Sequence, residues 1–207
     1  IETAIAFTRK LDKLPVPCRS GPGFIVNRVL MPYLHEAMHA AQQGVPNAVI
    51  DEAAVAFGMP IGPIELADVV GLDVCAHVGE IVADELGRPA SNLTRLRELI
   101  ALGKLGRKSG AGFYLWKDGK PVKPAASADA PPRDLVDRLI LVLVNECAAC
   151  LREQIVEDAD LIDAAVIFGT GFAPFRGGPL AYARSRGVAA VVERLEELAA
   201  RHGARFQ

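Results

Sequence analysis

The segment His35–His39 (His-Glu-Ala-Met-His) has the spacing of a zinc site. On a helix, histidines four residues apart share one face and can chelate zinc, with Glu36 as a general base. A peptidase of this type needs a third ligand, but Gln42 and Val45 stand where the longer motif has glycine and histidine. A related segment later in the chain keeps only the glutamate, as Glu146. We therefore interpret Glu36 as structural and both histidines as incidental, predict no metal site, and keep a zinc peptidase as a remote alternative.

Cys147 and Cys150 have the Cys-x-x-Cys spacing of a redox-active dithiol. A reactive pair lies at the N-terminus of a helix, where the helix dipole lowers the pKa of the thiol. These two cysteines come late in an apolar helix that is predicted to begin near Arg133, so we interpret them as small buried hydrophobic residues. Scattered cysteines in a chain with an ample core indicate a reducing, cytoplasmic compartment.

Two glycine-rich segments imitate the phosphate-binding loop of a dinucleotide site. Residues 169–171 (Gly-Thr-Gly) and 110–112 (Gly-Ala-Gly) supply the first two glycines of that fingerprint, but Pro174 and Leu115 occupy the third glycine position. No strand–helix–strand pattern surrounds either segment. The sequence therefore predicts no NAD-binding residues in this chain.

A basic loop segment could bind phosphate groups, such as those of CoA, through three cations: Lys104, Arg107 and Lys108. Charged runs most often face water, and a solvated loop is the interpretation that we prefer. We therefore assign no ligand to this segment.

Asn27 lies where a helix is expected to begin. In residues 22–28 (Pro-Gly-Phe-Ile-Val-Asn-Arg) glycine permits a tight turn, and Asn27 then falls in the first helical turn. Asparagine is a poor residue for a helix interior, and its amide can both donate and accept hydrogen bonds. One interpretation is a capping or packing role. The other is a cleft-facing amide that orients an oxygen atom of a ligand.

Apolar periodicity predicts a mostly helical chain around these residues. Between Phe24 and Gln42 apolar residues recur at intervals of three and four, and further periodic segments follow between glycine and proline breaks. The predicted helices cover residues 2–12 and 24–42, a segment capped at Pro46-Asn47 that ends at Gly58, a segment opening at 63, and residues 73–86 and 93–102. A short strand is expected over 15–18 and a Gly-rich loop over 103–116.

The pattern then restarts after residues 117–132, whose Pro, Ala, Ser and Asp content predicts a linker. Arg28 is echoed by Arg138 and Glu36 by Glu146, and the later landmarks follow in the same order at an offset of about 110 residues. Because both copies must bury equivalent faces, a duplicated helical module is the economical explanation.

Composition excludes several classes of protein. The 207 residues are 51% hydrophobic and carry a net charge of −2, which supports one or two ordinary cores and argues against nucleic acid or an anionic membrane as the main partner. No run reaches the roughly 18 uninterrupted apolar residues of a membrane span. The chain opens at Ile1 inside a predicted helix, so we expect a piece of a larger protein, and its richness in Ala, Arg and Gly is typical of a bacterial source.

Five segments make the sequence resemble a known family. Residues 22–37 (PGFIVNRVLMPYLHEA), 57–73 (FGMPIGPIELADVVGLD) and 106–114 (GRKSGAGFY) are similar to the C-terminal domain of 3-hydroxyacyl-CoA dehydrogenases. Residues 144–151 (VNECAACL) and 168–183 (FGTGFAPFRGGPLAYA) resemble the further helical repeat of multifunctional fatty-acid oxidation α-subunits. These resemblances cover essentially the whole chain, and motifs of this length in this order are highly specific.

The resemblance implies an all-α fold with two tandem copies of a helical module like the C-terminal domain of 6-phosphogluconate dehydrogenase. A short remnant of a Rossmann domain precedes them. The implied domains are the last helix and strand of an NAD-binding domain (1–19), a first helical domain (20–116), a linker (117–132) and a second helical repeat (133–207).

The resemblance also implies a function. The family oxidises (3S)-3-hydroxyacyl-CoA to 3-ketoacyl-CoA in fatty-acid β-oxidation, with NAD and a catalytic histidine–glutamate pair in an N-terminal domain that is missing here. None of the histidines of this chain lies in that catalytic motif. Asn27 matches the family's substrate-contacting asparagine near the 3-oxygen. Phe168 stands where α-subunit relatives often carry a tyrosine with a substrate role, and it lacks the hydroxyl that would make that contact.

The expected partners are an acyl-CoA substrate and either a second copy of the chain or a thiolase-containing complex, with no nucleic acid and no membrane span. The fragment alone is expected to be inactive, because hydride transfer needs the absent cofactor site. A non-enzymatic dimerisation or interaction module is the alternative function.

Overall fold

The computed structural model describes residues 1–124 and 131–207, and residues 125–130 of the predicted linker lie outside this description. Apart from short 3-10 turns, the regular elements of the described residues are α1 (Glu2–Lys10), α2 (Val26–Gln42), α3 (Asn47–Phe57), α4 (Pro63–Val70), α5 (Leu72–Glu85), α6 (Thr94–Ala101), β1 (Leu115–Lys117), β2 (Lys120–Val122), α7 (Leu135–Arg152), α8 (Ala159–Thr170), α9 (Pro179–Arg186) and α10 (Val188–His202). The predicted all-α class is confirmed. Among the described helices, none combines the length and apolarity that a membrane crossing requires.

The N-terminal segment differs from the prediction. Helix α1 buries none of its residues, and residues 13–20 have no regular secondary structure, so the strand predicted over 15–18 is wrong. A strand needs a neighbour with which to exchange backbone hydrogen bonds. Here the Arg19 N–H donates to the carbonyl of Ile155 at 2.8 Å, and neither of the two described strands lies alongside.

Where the linker is predicted to begin, the chain instead forms a hairpin. Strand β1 pairs antiparallel with β2, and Lys117 faces Lys120 across a two-residue turn. The turn residues Asp118 and Gly119 both have positive φ, 50° and 74°, as a type I′ turn requires. The Asp-Gly pair is the strongest local signal for such a hairpin, and the linker prediction overlooked it.

The helices form two copies of one arrangement. Helices α2 to α5 of the first repeat correspond in order to α7 to α10 of the second. Helices α2 and α7 pack against each other at the centre of the molecule, and each also contacts the other repeat's next helix, α2 with α8 and α3 with α7. This reciprocal packing relates the two repeats by an approximate twofold axis.

A buried carboxylate holds two helices together within each repeat. Asp51 of α3 accepts a hydrogen bond at 2.8 Å from the backbone N–H of Ile64 in the first turn of α4. Asp163 of α8 does the same for α9, accepting from the backbone N–H of Leu180 at 2.7 Å. Gly62 is required beside Asp51, because a Cβ atom there would lie 2.2 Å from the Asp51 side chain. Helix N-termini favour negative charge, so both carboxylates stabilise the helices that they face.

Two reciprocal ion pairs join the repeats across the axis. Arg28 Nε lies 2.6 Å from Glu146 Oε1, and Arg138 Nε lies 2.7 Å from Glu36 Oε1. All four residues are buried, and we call them the seam. Buried charges are tolerated only when they are paired and hydrogen-bonded. The seam therefore fixes the position of one repeat against the other.

Each seam glutamate also binds a second arginine from outside the central helices. Arg88, three residues after the end of α5, lies 2.5 Å from Glu146, and Arg205, three residues after the end of α10, pairs with Glu36. The duplicated pattern thus extends to the helix ends, which are far from the seam in sequence.

Candidate functional site

The structure places Asn27 and Phe168 on the same groove, although they belong to different repeats. The groove has a volume of about 690 Å³ and lies between the start of α2 and the length of α8. Residues 12–16 and 23–27 line it on one side, and α8 lines it on the other with Leu161, Ala164, Ala165, Phe168 and Gly169. We call it the α2–α8 groove. Its volume is within the range of ligand pockets.

The turn before α2 positions Asn27. Gly23 and Phe24 have positive φ, 72° and 51°, and the backbone N–H of Arg28 donates to the Gly23 carbonyl at 3.3 Å. Asn27 is the second residue of α2 and is exposed. Its side chain makes no hydrogen bond to any residue in 1–124 or 131–207, and no side chain caps α2. The capping interpretation therefore lacks support, and the amide is available to a ligand.

Exposed apolar side chains line the same groove as this amide. Phe168 is 71% exposed and Phe24 is 58% exposed, both in the α2–α8 groove. Clustered exposed apolar residues mark binding surfaces in soluble proteins. Sequence reasoning found Phe168 only through the resemblance and missed the rest of the wall. The sequence does indicate this wall, because the apolar residues of α8 recur at intervals of three and four and so share one face of the helix.

The corresponding position in the second repeat is closed. Asp137 takes the place of Asn27 in the repeat, and Arg194 Nε donates to Asp137 Oδ2 at 2.7 Å while Arg186 donates to Oδ1. Burial alone would raise the pKa of the Asp137 carboxyl, but hydrogen bonds from Arg186 and Arg194 outweigh it and hold this pKa below its usual value. Among the described residues, the Asn27 side chain at the start of α2 has no hydrogen-bond partner, whereas Asp137 at the start of α7 is held in an ion pair.

The segment His35–His39 lies elsewhere, beside a cavity of about 270 Å³ at the seam. His35 Nδ1 is 3.1 Å from Ser91 Oγ, and burial lowers the pKa of His35 to about 4, so the ring is neutral at neutral pH. The Glu36 carboxylate is occupied by Arg138 and Arg205, which leaves no free base. Within the described ranges, no group of three or more His, Cys, Asp or Glu side chains could hold a metal ion.

Cys147 and Cys150 are buried free thiols in the second half of α7. Burial raises the pKa of Cys150 to about 11 and that of Cys147 well above the usual thiol value. Neither thiol is ionised near neutral pH, and this agrees with their interpretation as hydrophobic packing residues.

The glycine-rich segments do not fit a dinucleotide. Gly169 lies inside α8 rather than after a strand, and Gly110 ends a 3-10 turn in a left-handed conformation. The strands of the described residues form an antiparallel hairpin, so no parallel strand–helix–strand unit surrounds either segment there. In the basic loop, Lys108 Nζ pairs with Asp73 Oδ1 at 2.6 Å, and its charge is partly neutralised.

Comparison with known proteins gives a consistent result. Residues 23–116 match the family described as 3-hydroxyacyl-CoA dehydrogenase, C-terminal domain. Over its full length the chain is 38% identical to the fatty acid oxidation complex subunit alpha of Idiomarina loihiensis and 36% identical to that of Shewanella halifaxensis. It spans 31% of the length of each of these relatives.

Solved structures have the same fold. The 3-hydroxybutyryl-CoA dehydrogenase of Escherichia coli K12 superposes with a TM-score of 0.80 at 24% identity, covering 100% of this chain and 62% of that one. The (S)-3-hydroxybutyryl-CoA dehydrogenase of Ralstonia eutropha is 36% identical with a TM-score of 0.53, over 56% of this chain and 42% of that one. As the resemblance predicted, residues 23–116 match the C-terminal domain of 3-hydroxyacyl-CoA dehydrogenases, and the chain over its full length is similar to fatty acid oxidation complex alpha subunits.

Proposed function

We propose that this chain is the substrate-binding and dimerisation part of an NAD-dependent (3S)-3-hydroxyacyl-CoA dehydrogenase of fatty-acid β-oxidation. The observation that carries the proposal is the exposed amide of Asn27 at a mostly apolar groove that both repeats line. An acyl-CoA has a polar oxygen on its third carbon followed by an alkyl tail, and this matches one polar group set among apolar walls. The match of residues 23–116 to the dehydrogenase family supports the same substrate.

Asn27 would orient the 3-oxygen of the substrate. During oxidation the substrate hydroxyl loses its proton while C3 loses a hydride, which NAD accepts when bound. A positioned N–H donor stabilises charge that develops on an oxygen and holds the reacting carbon in place. The described residues do not form a dinucleotide cradle, so the proposed NAD site and the catalytic histidine–glutamate pair belong to another part of the parent protein.

The test is Asn27→Ala in the complete gene product that contains this chain. Losing a hydrogen bond to a developing charge costs about 1.5–3 kcal/mol, so kcat/KM for 3-hydroxyacyl-CoA should fall by one to two orders of magnitude. Asn27 is exposed and unbonded, so the free energy of unfolding should change by less than about 0.5 kcal/mol. Asn92→Ala, an exposed asparagine away from the groove, is the matched control. If kcat/KM of Asn27→Ala is unchanged, Asn27 does not contact the substrate and its proposed role is refuted.

We propose further that the isolated chain binds acyl-CoA and self-associates or joins a larger complex without catalysing hydride transfer. Two of its relatives are named as subunits of a fatty acid oxidation complex. Turnover of acetoacetyl-CoA and NADH by the purified chain would contradict the proposed division of labour. Calorimetric titration with acyl-CoA and size-exclusion chromatography separate the alternatives, since a stable dimer without acyl-CoA affinity would favour a non-enzymatic interaction module.

A further inference from the structure

One face of α8 presents an apolar stripe to the α2–α8 groove. Leu161, Ala164, Ala165 and Phe168 recur at intervals of three and four, so they share that face and all four line the groove. From the first to the last, the stripe covers about 10 Å along the helix axis. This length suits an alkyl tail rather than a two-carbon acyl group.

The opposite wall is apolar as well. Leu14 and Phe24 are 66% and 58% exposed, and Ile25 is buried at the base. Among the described residues that line the groove, the charged ones are Asp12 and Lys13. An uncharged alkyl tail therefore fits these walls better than a phosphate or nucleotide.

Small residues form part of the α8 wall, and one of them brings α8 close to the start of α2. Gly169 lies six residues after the helix-capping Asp163, and the corresponding position in α3, six residues after Asp51, carries the buried Phe57. The Phe57 ring fills its site against Phe172, with ring centroids 5.7 Å apart. At Gly169 a Cβ atom would lie 2.5 Å from Val26 Cγ2, so the side-chain-free position also lets α8 approach the start of α2.

We propose that α8 of the second repeat is the wall for the alkyl tail of the substrate, and that Ala164 determines the chain length accepted. This inference rests on the proposed function, because Asn27 must hold the 3-oxygen for the tail to run along α8. Ala164 is half-buried in the middle of the stripe, where a larger side chain would fill the groove. Its small size admits tails longer than four carbons.

The experiment compares substrates of 4, 10 and 16 carbons in the complete gene product carrying Ala164→Phe. Each methylene excluded from the groove costs about fourfold in affinity, so the ratio of kcat/KM for the longest to the shortest substrate should fall about tenfold or more. Leu161→Ala removes apolar contact for about one methylene of the tail without adding bulk, so it should lower the same ratio about three- to fivefold. Ala190→Phe on the exposed face of α10, outside the groove, is the matched control and should leave the ratio unchanged.

The outcomes separate this inference from the proposed function. If the unaltered enzyme oxidises all three substrates but neither variant changes the ratio, α8 is not the tail wall and the proposed function stands. An equal loss for all chain lengths in both folded variants, checked by circular dichroism, also overturns the inference. If the unaltered enzyme oxidises no 3-hydroxyacyl-CoA, the proposed function fails and the inference fails with it.

Discussion

Replacing Glu36 with glutamine tests the role of the seam. Glu36 is completely buried, and its partner Arg138 is 3% exposed with a guanidinium nitrogen 2.6 Å away. Removing one partner of a buried ion pair leaves an uncompensated buried charge, which typically costs about 3–5 kcal/mol. We expect the free energy of unfolding to fall by that amount. Glu146→Gln should cost less, because Arg28 keeps a second carboxylate, Glu153, 2.7 Å from its guanidinium.

The measurement is urea denaturation of the 207-residue chain followed by circular dichroism, with the slope of the transition checked for constancy. Glu98→Gln is the control, since the Arg95–Glu98 pair is more than half exposed and such pairs contribute about 1 kcal/mol or less. Replacing both Glu36 and Arg138 with apolar residues should restore much of the loss, because neither charge is then left alone. A loss for Glu36→Gln as small as that for Glu98→Gln would refute the role given to the seam.

Three further changes test other parts of the structure. Tyr114→Phe removes the 2.9 Å hydrogen bond from the Tyr114 hydroxyl to the Asp51 carboxylate and should cost about 1.5–3 kcal/mol in denaturant unfolding. Gly62→Ala should destabilise the chain more than Gly21→Ala, because a Cβ atom would lie 2.2 Å from Asp51 at the first site and 3.4 Å from Ile155, an ordinary contact, at the second; equal losses would contradict this. Burial lowers the pKa of His35 to about 4 from an unfolded value near 6.5, so the unfolded chain binds more protons between these values. Stability should therefore fall by about 1.4 kcal/mol per unit as pH decreases through that window, and His35→Gln should flatten the slope.

Most of the fold follows from local sequence patterns. Apolar periodicity and the Gly and Pro breaks locate α2 to within two residues, and Pro63 opens α4 as predicted. The repeat follows from the offset of about 110 residues between Glu36 and Glu146. The prediction of a strand over 15–18 was wrong because a strand needs a neighbouring strand to pair with, and apolar periodicity does not show whether one is present.

The site was predictable only in part. Asn27 stands out as a polar residue in a first helical turn, but its meeting with Phe168 depends on how the two repeats dock. The ion pairs of the seam could have been predicted from the sequence. Arginine and glutamate both recur at the repeat offset, and charges that recur in two otherwise apolar helix faces need partners. The close approach of α8 to the start of α2 at Gly169 depends on tertiary packing, which no spacing rule in the sequence reveals.

Because the two repeats lie in one chain, their sequences need not be identical. In a homodimer joined by the same seam, every substitution would appear on both sides of the axis. Here Asn27 and Asp137 occupy equivalent places with different chemistry, one open and one closed. Docking within one chain is also independent of protein concentration, unlike the association of separate subunits. The two repeats can therefore contribute different side chains to one groove, and a substitution that only one repeat tolerates can be kept on that side alone.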